Sequence, residues 1–126
     1  MKFVERKIIF HGSHFINFYL EQTIKVQEKI EFVFSIIKKV DRVSDKFLSP
    51  IKSSDGLFEI RVEYSSNIYR IFCCFDEGNI VVLFNGFQKK SQKTPLKEIE
   101  KGLKLKKEYF ELKKTQENEK RINKKR

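Results

Sequence analysis

The 126-residue chain has two cysteines, two histidines, two prolines and no long apolar run, and each scarcity closes off a class of function. Cys73 and Cys74 are adjacent, so on a strand their side chains point to opposite faces, which disfavours a structural disulfide between them. They read as small hydrophobes in a reducing cytoplasm. His11 and His14 share an H-x-x-H spacing, but no nearby carboxylate or cysteine set completes a metal site, and no cofactor is implied. Lacking a bilayer-length apolar stretch and a signal peptide, the sequence argues against a membrane partner and for a cytoplasmic location. Ser53 and Ser54 have no paired base in the sequence, so neither reads as a nucleophile.

Positive charge is what the chain has in excess: 27 lysines and arginines against 17 aspartates and glutamates, a net charge of +10. That balance implies an acidic partner. Residues 1–56 carry 10 basic and 7 acidic groups, residues 57–88 carry 2 and 4, and residues 89–126 carry 15 and 6. A basic segment that begins where a sheet ends points to nucleic acid or to an acidic protein rather than to solubility alone. The length suits one domain with one core, placed at residues 1–112. Residues 113–126, KKTQENEKRINKKR, contain one large apolar residue, Ile122, and are expected to form a frayed, flexible basic tail.

The stretch from Leu57 to Pro95 organises the rest. Three runs rich in Ile, Val, Phe and Tyr are separated by Ser65-Ser66-Asn67 and Asp76-Glu77-Gly78-Asn79, the composition of a three-stranded antiparallel meander. In the first run Phe58, Ile60, Val62 and Tyr64 alternate with Leu57, Glu59, Arg61 and Glu63, giving an apolar and a mostly charged face. Arg70 would be costly to bury unpaired in the core, so it belongs on the charged face. A loop of Ser65 and Ser66 pairs Tyr64 with Asn67 and sets Arg61 opposite Arg70. Closing the second turn with Asp76 opposite Asn79 sets Arg70 opposite Asn85 and Ile68 opposite Phe87. The predicted core face is then Phe58, Ile60, Val62, Tyr69, Ile71, Cys73, Val82 and Phe84, and the other surface holds Arg61, Arg70, Asn85 and Phe87.

Upstream, Phe3 to Phe10 reads as a strand that joins the meander. Ser13 is the expected N-cap of a short helix ending near Gln22, with Phe15, Phe18 and Tyr19 on its apolar side. Thr23 can cap a second helix through Val40, whose Val26, Ile30, Val33, Ile37 and Val40 recur at spacings of four and three and should cover the sheet. Asp41 to Gly56 reads as a connector without chemistry. Thr94-Pro95 starts a last helix, with Leu96, Ile99, Leu103 and Phe110 on one side and Gly102 letting it lie close to a sheet whose Phe72 and Leu83 need shielding. The fold class is α+β: an N-terminal strand and two helices packed on a mainly antiparallel sheet, then a C-terminal helix.

Like charges directly opposite each other in a sheet are destabilising. Glu59, Glu63 or a bound anion would relieve the Arg61–Arg70 pair, and an ion-paired, solvated sheet face is the plain alternative to a functional one. After the third strand come Gln88, Lys89, Lys90, Ser91, Gln92, Lys93 and Thr94, a polar loop with three lysines. Paired guanidinium groups, an aromatic at Phe87 and mobile ammonium groups suit phosphate charge and base stacking.

In the order GLFEIRV, YRIFCCFD, IVVLFNGFQKKSQKTP and a charged helix ending KKEYF, the chain resembles the HigB-like, phage-derived branch of the RelE/ParE toxin superfamily. GFQKKSQKTP is the most specific part, and the likeness runs from about Phe3 to Phe110. The resemblance implies a RelE-like fold and a type II toxin that cuts mRNA on the ribosome without metal, through attack by the ribose 2′-hydroxyl. It implies that Arg61 and Arg70 bind the phosphate, that Lys89, Lys90 and Lys93 add cationic stabilisation or proton transfer, that Phe87 stacks, and that Asn85 and Gln92 contact RNA. The family often has histidine at the place of Asn85, so the proton carrier is left between a lysine and Glu59. It also implies a cognate helix-turn-helix antitoxin as partner. Two rivals share the charge or the fold: a gyrase inhibitor and a non-catalytic RNA-binding module.

Overall fold

A computed structural model describes residues 4–52 and 54–124 of the chain. Its elements are β1 (Lys7–Phe10), α1 (His14–Leu20), α2 (Ile24–Lys39), β2 (Leu48–Pro50), β3 (Phe58–Tyr64), β4 (Asn67–Asp76), β5 (Ile80–Lys89) and α3 (Leu96–Lys124). The five strands form one sheet in the order β1-β5-β4-β3-β2, with β1 parallel to β5 and every other pairing antiparallel. The fold is therefore α+β, with α1 and α2 against one face and α3 against the other.

The first face is covered because the helical stripe falls where its spacing predicts. Val26, Ile30, Val33 and Ile37 of α2 are buried against Ile60, Val62, Ile71 and Cys73. Thr23 caps α2 by accepting a hydrogen bond from the Val26 amide at 3.4 Å. At the other end the Arg6 guanidinium donates to the carbonyls of Ile37, Val40 and Asp41 at 2.9, 2.6 and 2.6 Å. A cation there satisfies carbonyls that a helix end leaves unpaired and complements the helix dipole. Ser13 stands at the α1 N-cap, but its side chain makes no capping bond.

The sequence reading of the meander holds for the first hairpin. Tyr64 pairs with Asn67 and Arg61 with Arg70, and Ser65 and Ser66 take φ values of 52° and 68°, the left-handed pair that a two-residue hairpin loop requires. The second hairpin differs. Asp76 pairs with Ile80 rather than Asn79, because three residues instead of two make the turn. That one-residue change reverses the parity of the lower part of β5, so Val81 and Leu83, not Val82 and Phe84, join the core under α1 and α2. Val82 and Phe84 pack on the α3 side with Phe72 and Cys74. Between the pairs Cys73–Leu83 and Ile71–Gly86 the register shifts, with Phe84 and Asn85 facing Phe72 alone. A bulge of this kind inserts one residue and resets the alternation. It makes Phe87, not Asn85, the neighbour of Arg70, and Lys89, not Phe87, the neighbour of Ile68.

Other expectations are corrected by burial and pairing. The supposed connector contains β2, which pairs Leu48, Ser49 and Pro50 with Ile60, Glu59 and Phe58. Three residues are too few to show an alternation in sequence. The first strand begins at Lys7, and Phe3 lies outside the described residues, as does Ser53. Leu96 is 68 % exposed, while Leu105, absent from the predicted stripe, is buried. Gly102 does permit close approach: a Cβ there would lie 2.8 Å from Phe72 and 3.2 Å from Leu57. Leu83 is shielded from the opposite face. The segment expected to fray is helical through Lys124, with every residue from Lys114 onward exposed; Lys125 and Arg126 lie outside the described residues.

Candidate functional site

Alternation in β3 and β4, with Arg61 paired to Arg70, places both guanidinium groups on the sheet face that α3 partly covers. Both meet one carboxylate. Glu59 Oε1 accepts from Arg61 Nε at 3.3 Å and from Arg61 Nη2 at 3.0 Å. Glu59 Oε2 lies 3.1 Å from Arg70 Nε, an ion pair whose atoms are too far out of line to count as a hydrogen bond, so both atoms are buried without one. Glu63, the other candidate for relief, is exposed. Glu59 is thus the group that lets two cations sit on neighbouring strands.

The two arginines differ in access. The Arg70 side chain is 8 % exposed and that of Arg61 is 35 % exposed. Arg70 Nη1 also donates to the Tyr69 carbonyl at 3.2 Å. Burial lowers the Arg70 pKa from its ordinary value, Glu59 raises it and neighbouring Arg61 lowers it again. Of the two, Arg61 is therefore the one open to a ligand. Arg61 Nη1 donates to the Asp45 carbonyl at 3.0 Å, which the β2 edge holds in reach. Among the described residues three of the five Arg61 N–H groups are used, and one on each Nη remains for a phosphate oxygen.

The remaining candidates divide into two groups. Asn85 is 2 % exposed; its amide donates to the Glu98 carbonyl at 3.1 Å and to the Glu98 carboxylate at 3.0 Å, while its own oxygen is buried without a partner. It ties the first turn of α3 to the β5 bulge. Phe87 is 9 % exposed and meets Phe72 edge-on, with ring centroids 5.3 Å apart, so no open face is presented for stacking on a base. Lys89 is half-buried at the end of β5, whereas Lys90, Gln92 and Lys93 are exposed in the loop that follows. That loop enters α3 through Pro95, whose carbonyl accepts from the Glu98 and Ile99 amides at 3.0 and 3.3 Å.

Arg61, Arg70 and Lys89 are brought to one face at one end of the sheet, and the lysine loop borders it. Asn85 and Phe87 lie beneath, as supports. His11 and His14 separate: His11 packs on α3, 3.4 Å from Glu108, and His14 opens α1. Cys73 and Cys74 point into opposite cores as expected; burial pushes the Cys74 thiol up to about 11 and raises Cys73 as well, so both stay protonated. Sequence reasoning missed the Asp45 carbonyl and Glu98, because a backbone acceptor and a helix-to-bulge tie leave no pattern along the chain.

Among the described residues no helix is long and apolar enough to cross a membrane. A comparison with curated proteins finds no match. The model of the family described as Phage derived protein Gp49-like (DUF891) matches residues 20–107, more than two thirds of the chain, spanning α2, the whole meander and the start of α3. The chain belongs to this phage-derived Gp49-like family, which is related to the HigB-like toxins of toxin–antitoxin systems.

Proposed function

We propose that the chain is the toxin of a type II toxin–antitoxin pair and that it inhibits translation by cutting mRNA on the ribosome. The observation that supports this best is the half-exposed Arg61 guanidinium, fixed by Glu59 and the Asp45 carbonyl with two N–H groups free, beside a loop of exposed lysines. Cleavage by the 2′-hydroxyl needs an in-line attack, stabilisation of charge on the scissile phosphate and a proton for the leaving 5′-oxygen. Arg61 binds the phosphate. Lys89, Lys90 and Lys93 add positive charge, and one of them carries the proton. Arg70 is a positioning residue, since it reaches the substrate only through Glu59 and Arg61. Gln92 contacts RNA from the loop, while Asn85 and Phe87 hold the loop and α3 in place. With so little enclosed catalytic machinery, the ribosome supplies the orientation of the RNA.

The test is induction of the chain with and without the gene encoded beside it, expected to be a helix-turn-helix antitoxin, followed by primer extension on transcripts with and without a start codon. Arrested growth relieved by the neighbour, and cuts confined to translated transcripts, are expected. Cuts in untranslated RNA would make the protein a free ribonuclease. Damaged DNA with intact mRNA would make it a gyrase poison.

A further inference from the structure

β1 pairs only with Ile80 to Leu83 of β5, and the last bond on that side runs from the His11 amide to the Leu83 carbonyl. From Asn85 to Lys89 the outer edge of β5 has no strand beside it among the described residues. α1 lies against this part of β5 so closely that a Cβ on Gly86 would come within 2.5 Å of the Phe18 ring. Between α1, the β5 edge and α3 a polar groove of about 480 Å³ remains, lined among others by Asn17, Gln22, Gln88, Lys90 and Lys101.

We propose that this groove is a subsite for one unstacked nucleotide of single-stranded RNA, next to the phosphate held at Arg61, and that the Asn17 amide sets its base preference. The inference rests on the endonuclease reading above. Its volume falls within the ~300–1,000 Å³ typical of small-ligand sites. Asn17 is exposed, and among the described residues its side chain has no hydrogen-bond partner, which leaves both its donor and its acceptor for a ligand. Gln22 and Gln88 each use one N–H, on the Phe18 carbonyl and on the Asn67 side-chain oxygen, which leaves each a second N–H and a carbonyl oxygen. Amides of this kind read the edges of splayed RNA bases, and lysines neutralise the adjoining phosphates. Lys90 and Lys101 outnumber the one carboxylate in the lining, Glu21. The path from Arg61 on β3, across Arg70 on β4, to the β5 edge crosses two strand spacings of ~4.8 Å each, close to the reach of one or two nucleotides.

The test uses Asn17→Ala and Lys101→Ala, both at exposed helix positions, in the full chain. Binding of fluorescent A, C, G and U homopolymers is measured by anisotropy over a salt series, and cut sites are mapped on ribosomes. Asn17→Ala should weaken the preferred homopolymer about three- to tenfold, as loss of one or two hydrogen bonds implies, and level the preference. Lys101→Ala should flatten the slope of log affinity against log salt by about 0.7, one phosphate contact on a single strand. Should the parent cut mRNA while both variants keep its affinity, base preference, salt slope and cut sites, the subsite is wrong and the endonuclease stands. If the parent cuts on ribosomes without binding free RNA, an unchanged cut-site pattern in Asn17→Ala overturns the subsite. A parent that neither binds nor cuts RNA removes both readings. A groove protected by an extended peptide and indifferent to RNA would make the β5 edge a protein-docking site instead.

Discussion

Glu59 is one carboxylate serving two guanidinium groups, and that division decides what each arginine can lose. Removing Arg70 leaves Glu59 paired only with the more exposed Arg61 and its second oxygen buried facing nothing, a change that costs about 1–3 kcal/mol for a buried acceptor left unsatisfied. Removing Arg61 takes two hydrogen bonds from Glu59 but opens that oxygen to water at the more exposed side of the site, and the ion pair with Arg70 remains. Arg70→Ala is therefore expected to lower the melting temperature markedly, and Arg61→Ala to keep the fold while cutting cleavage by roughly two to three orders of magnitude. Melting and cleavage measured on the same preparations check this, and an Arg70→Ala protein as stable as the parent would refute it. The sequence alone supports the opposite expectation, that Arg70 stands open and can be removed without loss of stability. Parity and the first hairpin were legible from Arg70 and the Ser65-Ser66 loop, so its face and its neighbour Arg61 are right. Burial was not legible, because it depends on how α3 and β2 frame the charged face, and neither leaves a signal at Arg70 itself.

At the scale of elements, the β5 bulge and α3 are coupled. The bulge turns Asn85 toward α3, where its amide holds the Glu98 carbonyl and carboxylate, and Gly102 lets the next turn settle on Phe72. Alanine at a helical glycine ordinarily gains about 0.5–1 kcal/mol from helix propensity. Here a methyl group would stand 2.8 Å from a fully buried ring and 3.3 Å from the Asn85 oxygen, and overpacking of a tight core costs about 1–3 kcal/mol. Gly102→Ala should thus destabilise, against its propensity, and should weaken cleavage by displacing the loop that enters α3. Thermal melting with a parallel cleavage assay decides it; a stabilised, fully active variant would show that α3 can rise from the sheet at no cost. The glycine's purpose was readable in sequence from its place opposite an apolar strand. The bulge was signalled only weakly, by Asn85 and the neighbouring Gly86 inside an otherwise apolar strand, and the register built on a two-residue turn had no need of it.

For the molecule as a whole, the question is where the ordered domain ends. Composition places the boundary at residue 112, yet Lys113 donates to both Asp76 oxygens at 2.8 and 3.0 Å, and Tyr109 donates to the same carboxylate at 2.7 Å. These bonds fasten α3 to the turn between β4 and β5. Beyond Lys113 every described residue is exposed, so its removal should change stability by no more than about 0.5 kcal/mol. A chain cut after Gln116 should therefore melt with the parent, and one cut after Leu112 should melt lower. The difference between the two carries a pH signature. Burial alone would raise the Asp76 pKa, but the bonds from Lys113 and Tyr109 outweigh it and hold the carboxyl below its ordinary value of 3.8; burial, and then the bond to Asp76, push the Tyr109 hydroxyl up to about 12. With the folded pKa lower than the unfolded one, the unfolded chain binds the extra proton, so the stabilisation is complete above the ordinary carboxylate range and lost as pH falls through the lowered value. The gap in melting temperature between the two truncations should be full at neutral pH and close as the solution is acidified below 3.8. Equal melting of both truncations at neutral pH would put the domain's end at residue 112, with Tyr109 alone holding Asp76. A gap that persists unchanged into acid would assign the effect to the helix backbone beyond Leu112 rather than to the Lys113–Asp76 pair.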